Sequence, residues 1–383
     1  MQELTPFTPE YNTSAIPLPD EVLKILTDHS IRMLKSSDKD HHDKPFLTYL
    51  DDFDFEKERK MQWIPEHLSA FYGTEFYNTL NDEQKLALNH MGWIAHYQYS
   101  VIGEVMTLKY NNACADIFHA HGYTDIARYL RRESEEEITH ITTFSRMGEI
   151  VERFYTGDAI IRKRVGSTYD LPDTGFNGFA PWKAASFYYW LRGHQNVGLR
   201  VREQDMQRLD SKSTAVKVTT AHFRDETRHY ATSHLVASVI AEVDEALPNP
   251  VRLDYICKLS FQGGQAGPNW IFPTVSVIPG VLINEAAKLL SNPIFKLNPS
   301  EVRDAIENIY TKRAVNPKWE SMRARAMRPT MSLNKKASAW IPEKFLDQEK
   351  IGKMMKFNPD IGLVFARRAF NEWNQKWTAN LSN

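Results

Sequence analysis

From Glu83 to His119, and again from Asp125 to Tyr155, the chain carries apolar residues at helical spacing with no proline to interrupt them. About thirty residues of α-helix extend about 50 Å, enough to cross a whole domain. Two further long helices are expected, from Pro181 to about Leu209 and from Ser213 to about Val243. Gly122 marks a tight turn between the first two. The longest connection is the Pro/Gly-marked segment 169–182, YDLPDTGFNGFAPW. Such elements can bury their apolar stripes only against each other, which predicts an all-α fold built on an antiparallel four-helix bundle.

The flanks read as elaborations of that bundle. Residues 1–18 are rich in Pro and Thr and suggest an extended arm, and Asp20 caps a helix to about Leu34. The charged run SSDKDHHDKP then reads as a break, with His41 and His42 on solvated surface. Beyond Leu247 recurrent prolines predict several shorter helices packed on the bundle or over its open end. The expected organisation is 1–80 as N-terminal arm and helix, 81–245 as bundle, and 246–383 as a helical extension of the same domain. With 42% hydrophobic and 12% aromatic residues, a large core is available. A net charge of −1 with interspersed signs gives no footprint for nucleic acid or an anionic membrane surface. There is no secretory-type start and no apolar run of membrane-spanning length, so a soluble, cytoplasmic protein is expected. Cys114 and Cys257 form no ligand-spaced pair and read as idle thiols.

The bundle carries the chemistry. Glu137 and His140 form one Glu-x-x-His motif and Glu226 and His229 a second, on different long helices, while Glu104 lies on a third. Spacing of i, i+3 puts carboxylate and imidazole on one helix face, where both can reach a metal held between helices. His222 extends the second motif to an i, i+4, i+7 stripe. Any one of these histidines alone reads as a hydrogen-bonded core residue; six convergent ligand types read as a dimetal site, with imidazoles suited to iron, manganese or zinc. Asp116 with His119 repeats the spacing but lies near a helix end and off the Glu104 stripe.

Register about the turns tests this. Glu104 precedes Gly122 by 18 residues and Glu137 follows it by 15, a mismatch of about 4.5 Å along the axis. Glu226 follows Asp210 by 16 residues, and the position 16 before it is His194, next to Gln195. The fourth carboxylate of a dimetal set is therefore missing at that height, with Gln195, His194 or Asp225 left as further ligands or supporting groups. Glu203 should lie about 13 Å away toward the bundle end. Asp225 is a candidate acceptor for a ligand imidazole N–H. Tyr97 and Leu108 on the Glu104 stripe, with Tyr188, Leu191 and Leu199 near Gln195, are candidate pocket residues, although such side chains also serve as plain core.

The segments WIAHYQYSVIGEVM at 93–106, ESEEEITH at 133–140 and TTAHFRDETRH at 219–229 resemble the p-aminobenzoate N-oxygenase family of diiron enzymes. The resemblance covers about residues 85–245 and implies a ferritin-like bundle. It also implies that Glu104, Glu137, His140, His222, Glu226 and His229 correspond to six of that family's seven ligands, with Gln195 where the family has its remaining Glu. Two iron ions follow as cofactor, with a mixed Mn/Fe pair or partial occupancy as variants. Glu104 and His140 are expected to hold one metal and His222 and His229 the other, with Glu137 and Glu226 bridging. Three carboxylates would leave such a pair at +1. The implied activity is oxygenation of a small organic substrate, an arylamine nitrogen first, with O2 and an external donor: a reductase, a ferredoxin or a chemical reductant. A desaturase or oxidase on a carrier-bound or lipid chain and a non-catalytic metal-binding bundle are the alternatives, and a homodimer is left open.

Overall fold

The computed structural model describes residues 18–43, 46–69, 71–158, 189, 192, 200, 202–243, 283–311 and 359–381. Among these the fold is all-α, with no strand. Helix α1 spans Asp20–Asp43. Short turns follow at α2 (Thr48–Asp51), α3 (Phe55–Glu58) and α4 (Glu75–Thr79). The long helices are α5 (Asp82–Ala120), α6 (Thr124–Thr156) and α7 (Thr214–Val243), followed by α8 (Ile283–Leu290), α9 (Pro299–Thr311) and α10 (Pro359–Leu381). Of the bundle helix expected between α6 and α7, the described residues 189, 192, 200 and 202–206 are all helical.

Local chemistry sets the boundaries of α5 and α6. Asn81 Oδ1 accepts from the Gln84 backbone N–H at 3.0 Å and Gln84 Oε1 accepts from that of Asn81 at 2.9 Å, a reciprocal cap that satisfies two orphan donors of α5. Gly122 turns the chain at φ +80°, and Gly157 ends α6 in the left-handed region at φ +72° with its N–H on Arg153 O.

One boundary differs from the sequence expectation. The run 36–43 does not break the helix: it continues α1 to Asp43, because nothing before Pro45 stops a helix. Two of its side chains are tied inward, Ser37 donating to Glu136 and Asp40 accepting from Arg228, while Asp38 and Lys39 are exposed and the side chains of His41 and His42 lie outside the described residues. α1 thus packs along both α6 and α7.

Two apolar clusters fill the bundle. One gathers Trp63, Trp93, Tyr97, Val101, Phe144 and Met147 with residues of α8, α9 and α10. The other gathers Leu26, Phe118, Ile126, Tyr129, Tyr189 and Val236. Between them α5, α6 and α7 place a band of buried polar residues. Burying so many charges without compensation is costly, so this band calls for a functional account. The C-terminal segment is fixed to the bundle where Gln84 Nε2 donates to Ile294 O at 2.8 Å and Asn292 Nδ2 to Tyr155 O at 3.0 Å.

Candidate metal centre

Each of the three long helices presents one polar stripe to the band. Glu104 comes from α5, Glu133, Glu137 and His140 from α6, and His222, Glu226 and His229 from α7, all nearly or fully buried. Glu133 to Glu137 to His140 is i, i+4, i+7, and so is His222 to Glu226 to His229. Two donor groups result, each with ligand atoms within 4.8 Å of one another: Glu104, His140, His222 and Glu226 in one, and Glu133, Glu137 and His229 in the other.

Two carboxylates connect the groups. Glu137 Oε1 lies 3.1 Å from His229 Nδ1 while its Oε2 lies 3.3 Å from His140 Nδ1. Glu226 Oε1 lies 3.0 Å from His229 Nδ1 and 3.7 Å from His222 Nε2. His222 Nε2 also sits 2.9 Å from Glu104 Oε1. His222 therefore belongs with Glu104 and His140, not with His229 as the sequence reading paired it.

Every imidazole turns one nitrogen to these groups and the other to a separate acid. His140 Nε2 meets Asp225 Oδ2 at 2.9 Å, His222 Nδ1 meets Glu203 Oε1 at 2.6 Å, and His229 Nε2 meets Glu136 Oε2 at 2.7 Å. An outer carboxylate that takes the ring N–H fixes tautomer and orientation and leaves the inner lone pair for a cation. Arg228 bonds both Asp225 and Glu136, and Arg192 bonds both Glu133 and Glu137.

The electrostatics are those of a cation site. Seven buried carboxylates (Glu104, Glu133, Glu136, Glu137, Glu203, Asp225, Glu226) make up the acidic part of the band; Arg192 bonds Glu133 and Glu137, and Arg228 bonds Glu136 and Asp225. Burial opposes protonation of His222, yet the Glu203 and Glu104 carboxylates outweigh it and hold that imidazole well above its ordinary range. His229 is raised in the same way by Glu137 and Glu226, and His140 reaches about 9 through Asp225 and Glu137. Burial pushes Glu104 up to about 7. Burial also works against ionisation of Glu203, but His222 holds it down at about 2. One oxygen each of Glu104, Glu133 and Glu203 is buried with no hydrogen-bond partner among the described residues. A buried carboxylate oxygen without a partner is an acceptor open to a cation, and the donor set of imidazoles and carboxylates fits two divalent metal ions.

Glu203 corrects the register argument. It is fully buried against His222 and not displaced toward the bundle end. Residues 207–213 form a non-helical connection, so equal distance from Asp210 does not mean equal height. Glu133, Glu136, Arg192 and Arg228 escaped the sequence reading; of these, Glu133 was legible as one more turn of the Glu137–His140 stripe. Tyr97 is fully buried with its ring 5.6 Å from His222, and Leu108 is buried in the core. Asp116 is half-exposed and paired with Arg131. Tyr188, Leu191, His194, Gln195, Leu199 and Cys257 lie outside the described residues. Cys114 is a buried free thiol. No described helix is long and apolar enough to cross a membrane.

Comparison with known proteins gives one similarity. A family model described as "Acyl halogenase CylC-like" matches residues 29–174, less than half of the chain, spanning most of α1 through α6 with Glu104, Glu133, Glu136, Glu137 and His140. No curated protein and no solved structure matches.

Proposed function

We propose that this chain is a dimetal oxidoreductase that activates dioxygen, with iron the metal its donors suit best. The observation that carries the reading is the set of three imidazoles, each aimed at the shared carboxylates through one nitrogen and backed by its own acid through the other. A core histidine needs one hydrogen-bond partner; three rings oriented alike toward carboxylates with orphaned oxygens fit metal ligands.

Glu104, His140, His222 and Glu226 would hold one ion and Glu133, Glu137 and His229 the other, with Glu137 and Glu226 placed to reach both. Bound iron supplies the reduction of dioxygen, with electrons from an external donor. Four inner carboxylates, Glu104, Glu133, Glu137 and Glu226, match the charge of two divalent ions, with the Arg192 guanidinium adding one positive charge beside Glu133 and Glu137. Glu133 would thus supply from α6 the fourth acid, in place of the one lacking on the third bundle helix, where Gln195 stands. Asp225, Glu203 and Glu136 hold the ring protons outside, so that the inner nitrogens stay free. The Phe46 ring packs 4.8 Å from His140 and the Phe144 ring 5.0 Å from His222, excluding water from that side.

The similarity to the acyl halogenase model, a family of the ferritin-like diiron type, supports one reading of the substrate class. It favours functionalisation of a carbon of an acyl chain, the carrier-bound or lipid alternative of the sequence reading. Oxygenation of an arylamine nitrogen is the second reading, favoured by His222, the additional imidazole four residues before Glu226.

Anaerobic ferrous titration with metal analysis tests the centre, and oxygen uptake on exposure to air tests the activity. Two irons per chain with uptake are expected; less than one iron, or iron without uptake, overturns the reading. Incubating the loaded protein with an acyl thioester plus chloride, or with p-aminobenzoate, and weighing the products separates the two substrate classes.

A further inference from the structure

Four oxidisable side chains of the first apolar cluster, Tyr97, Trp93, Trp63 and Tyr155, stand in one row. Beginning at the metal-facing His222, ring centroids follow at 5.6 Å to Tyr97, 4.6 Å from Tyr97 to Trp93, 5.5 Å from Trp93 to Trp63 and 4.5 Å from Trp63 to His90. The row ends where His90 Nδ1 meets the Tyr155 hydroxyl at 2.9 Å, in the last turn of α6. Tyr155 is 6% exposed and its neighbour Phe154 44%.

Packing alone explains buried aromatics at i, i+4 such as Trp93 and Tyr97. It does not explain the acid and base built onto the two phenols. The Tyr97 hydroxyl donates to Glu203 Oε1 at 2.8 Å and lies 2.9 Å from Thr219 Oγ1, which accepts from the Trp93 indole N–H at 3.1 Å. At the other end His90 Nε2 lies 2.9 Å from Met61 O, a carbonyl that can only accept. The proton therefore sits on Nε2, and Nδ1 is the acceptor for Tyr155. Each phenol thus has a base within hydrogen-bond reach, the requirement for losing an electron and a proton together.

We propose that Tyr97, Trp93, Trp63 and Tyr155 form a one-electron relay between the dimetal centre and the outer end of α6, discharging the centre when it is oxidised without substrate; the proposal rests on the oxygen-activating reading. In each passage Tyr97 gives one electron to the oxidised centre and its phenolic proton to Glu203. Trp93 refills Tyr97 by one electron, and that proton returns along the same hydrogen bond. Trp63 refills Trp93, and Tyr155 refills Trp63 while its proton moves to His90 Nδ1. A thiol or ascorbate-type reductant in solution restores Tyr155 with one electron, and His90 returns the proton. Net, one external electron reaches the centre and no residue is consumed.

The test exposes iron-loaded protein to oxygen without substrate, records iron content and oxygen uptake, freezes samples for electron paramagnetic resonance and maps oxidised residues by peptide mass spectrometry. An aromatic radical is expected in the unaltered chain, with oxidation marks at Tyr97, Trp93, Trp63 and Tyr155. In Trp93→Phe the radical is confined to Tyr97 and outlives that of the parent, and the marks at Trp63 and Tyr155 are lost. In Trp63→Phe, which removes an indole N–H that has no partner among the described residues, the marks stop at Trp93. This second variant decides the matter if Trp93→Phe fails to fold. Ascorbate should shorten the radical lifetime in the parent and not in either variant. Iron binding and oxygen uptake with no aromatic radical, or with unchanged marks at Tyr155 in the variants, overturns the relay alone. Absence of iron binding or oxygen uptake overturns the oxygen-activating reading and the relay with it.

Discussion

Replacing Glu203 by Gln separates two roles a buried acid can play at this centre. In the structure its Oε1 lies 2.6 Å from His222 Nδ1 and accepts from Tyr97 at 2.8 Å, while Glu104 and Glu226 meet the opposite nitrogen of the same ring. Glu203 is thus an outer partner, and an amide oxygen can still accept from the ring. What Glu203→Gln removes is the charge. A hydrogen bond to a charged group contributes about 1.5–3 kcal/mol net and a neutral one about 0.5–1.5, so about 1–2 kcal/mol is lost at His222. Mutations of such partners lower metal affinity roughly 10- to 100-fold, equivalent to about 1.4–2.7 kcal/mol. The expected result is an unchanged two irons per chain at saturation, with affinity in a chelator competition weakened by at least about tenfold. Binding capacity falling to one iron would show that Glu203 is itself a ligand, and unchanged affinity would show that its bond to His222 does not matter. Either refutes the assignment.

Other expectations follow from the same geometry. His140 is raised from 6.5 to about 9 in the folded, metal-free chain; its contribution to stability is fully present below pH 6.5 and is lost as pH rises to 9. Thermal melts of metal-free protein should fall across that window and flatten once divalent metal is bound. Arg192→Met leaves Glu133 and Glu137 without their guanidinium partner. It should cost about 3–5 kcal/mol in metal-free denaturant titrations, and clearly less with metal present; equal losses would mean that the cation is not sharing those acids with a metal. Iron at one hundred times its dissociation constant should stabilise the fold by about 2.7 kcal/mol, read as a concentration-dependent rise in melting temperature that chelator reverses.

How far the sequence could be read depended on whether the physics was local. The limits of α5 and α6 follow from the Asn81–Gln84 cap, Gly122 and Gly157, and all of these are carried by neighbouring residues. The stripes were legible for the same reason, because i, i+3 and i, i+4 spacing needs only helix geometry. Where α5 meets α6, a short turn made register arithmetic workable. Before α7 it failed, because the connection 207–213 is not a tight turn, and Glu203 was misplaced with it. That the run 36–43 continues α1 was hidden because the partners of Ser37 and Asp40, Glu136 and Arg228, are distant in the chain and nothing in the run itself announces them. The outer acids were mostly hidden likewise. His229 and Glu136 are linked across helices by no spacing rule, and Asp225 could be suspected only from its place beside Glu226.

The two donor groups are not equivalent, and this orders their loading. Glu104, His140, His222 and Glu226 offer two imidazoles and two carboxylates, with one Glu104 oxygen unpartnered among the described residues. Glu133, Glu137 and His229 offer a single imidazole, and both of their carboxylates already bond Arg192. A cation entering the second group must share those acids with a guanidinium that cannot shed its proton. Coulomb repulsion between the two positive charges works against it at close range. The first group should therefore fill first, and the second only once Arg192 yields part of its contact with Glu137, the carboxylate that also reaches His140. Stepwise iron binding, with the weaker step strengthened in Arg192→Met, would carry the signature of this arrangement. Two equal, independent steps would mean that the guanidinium does not oppose the second ion.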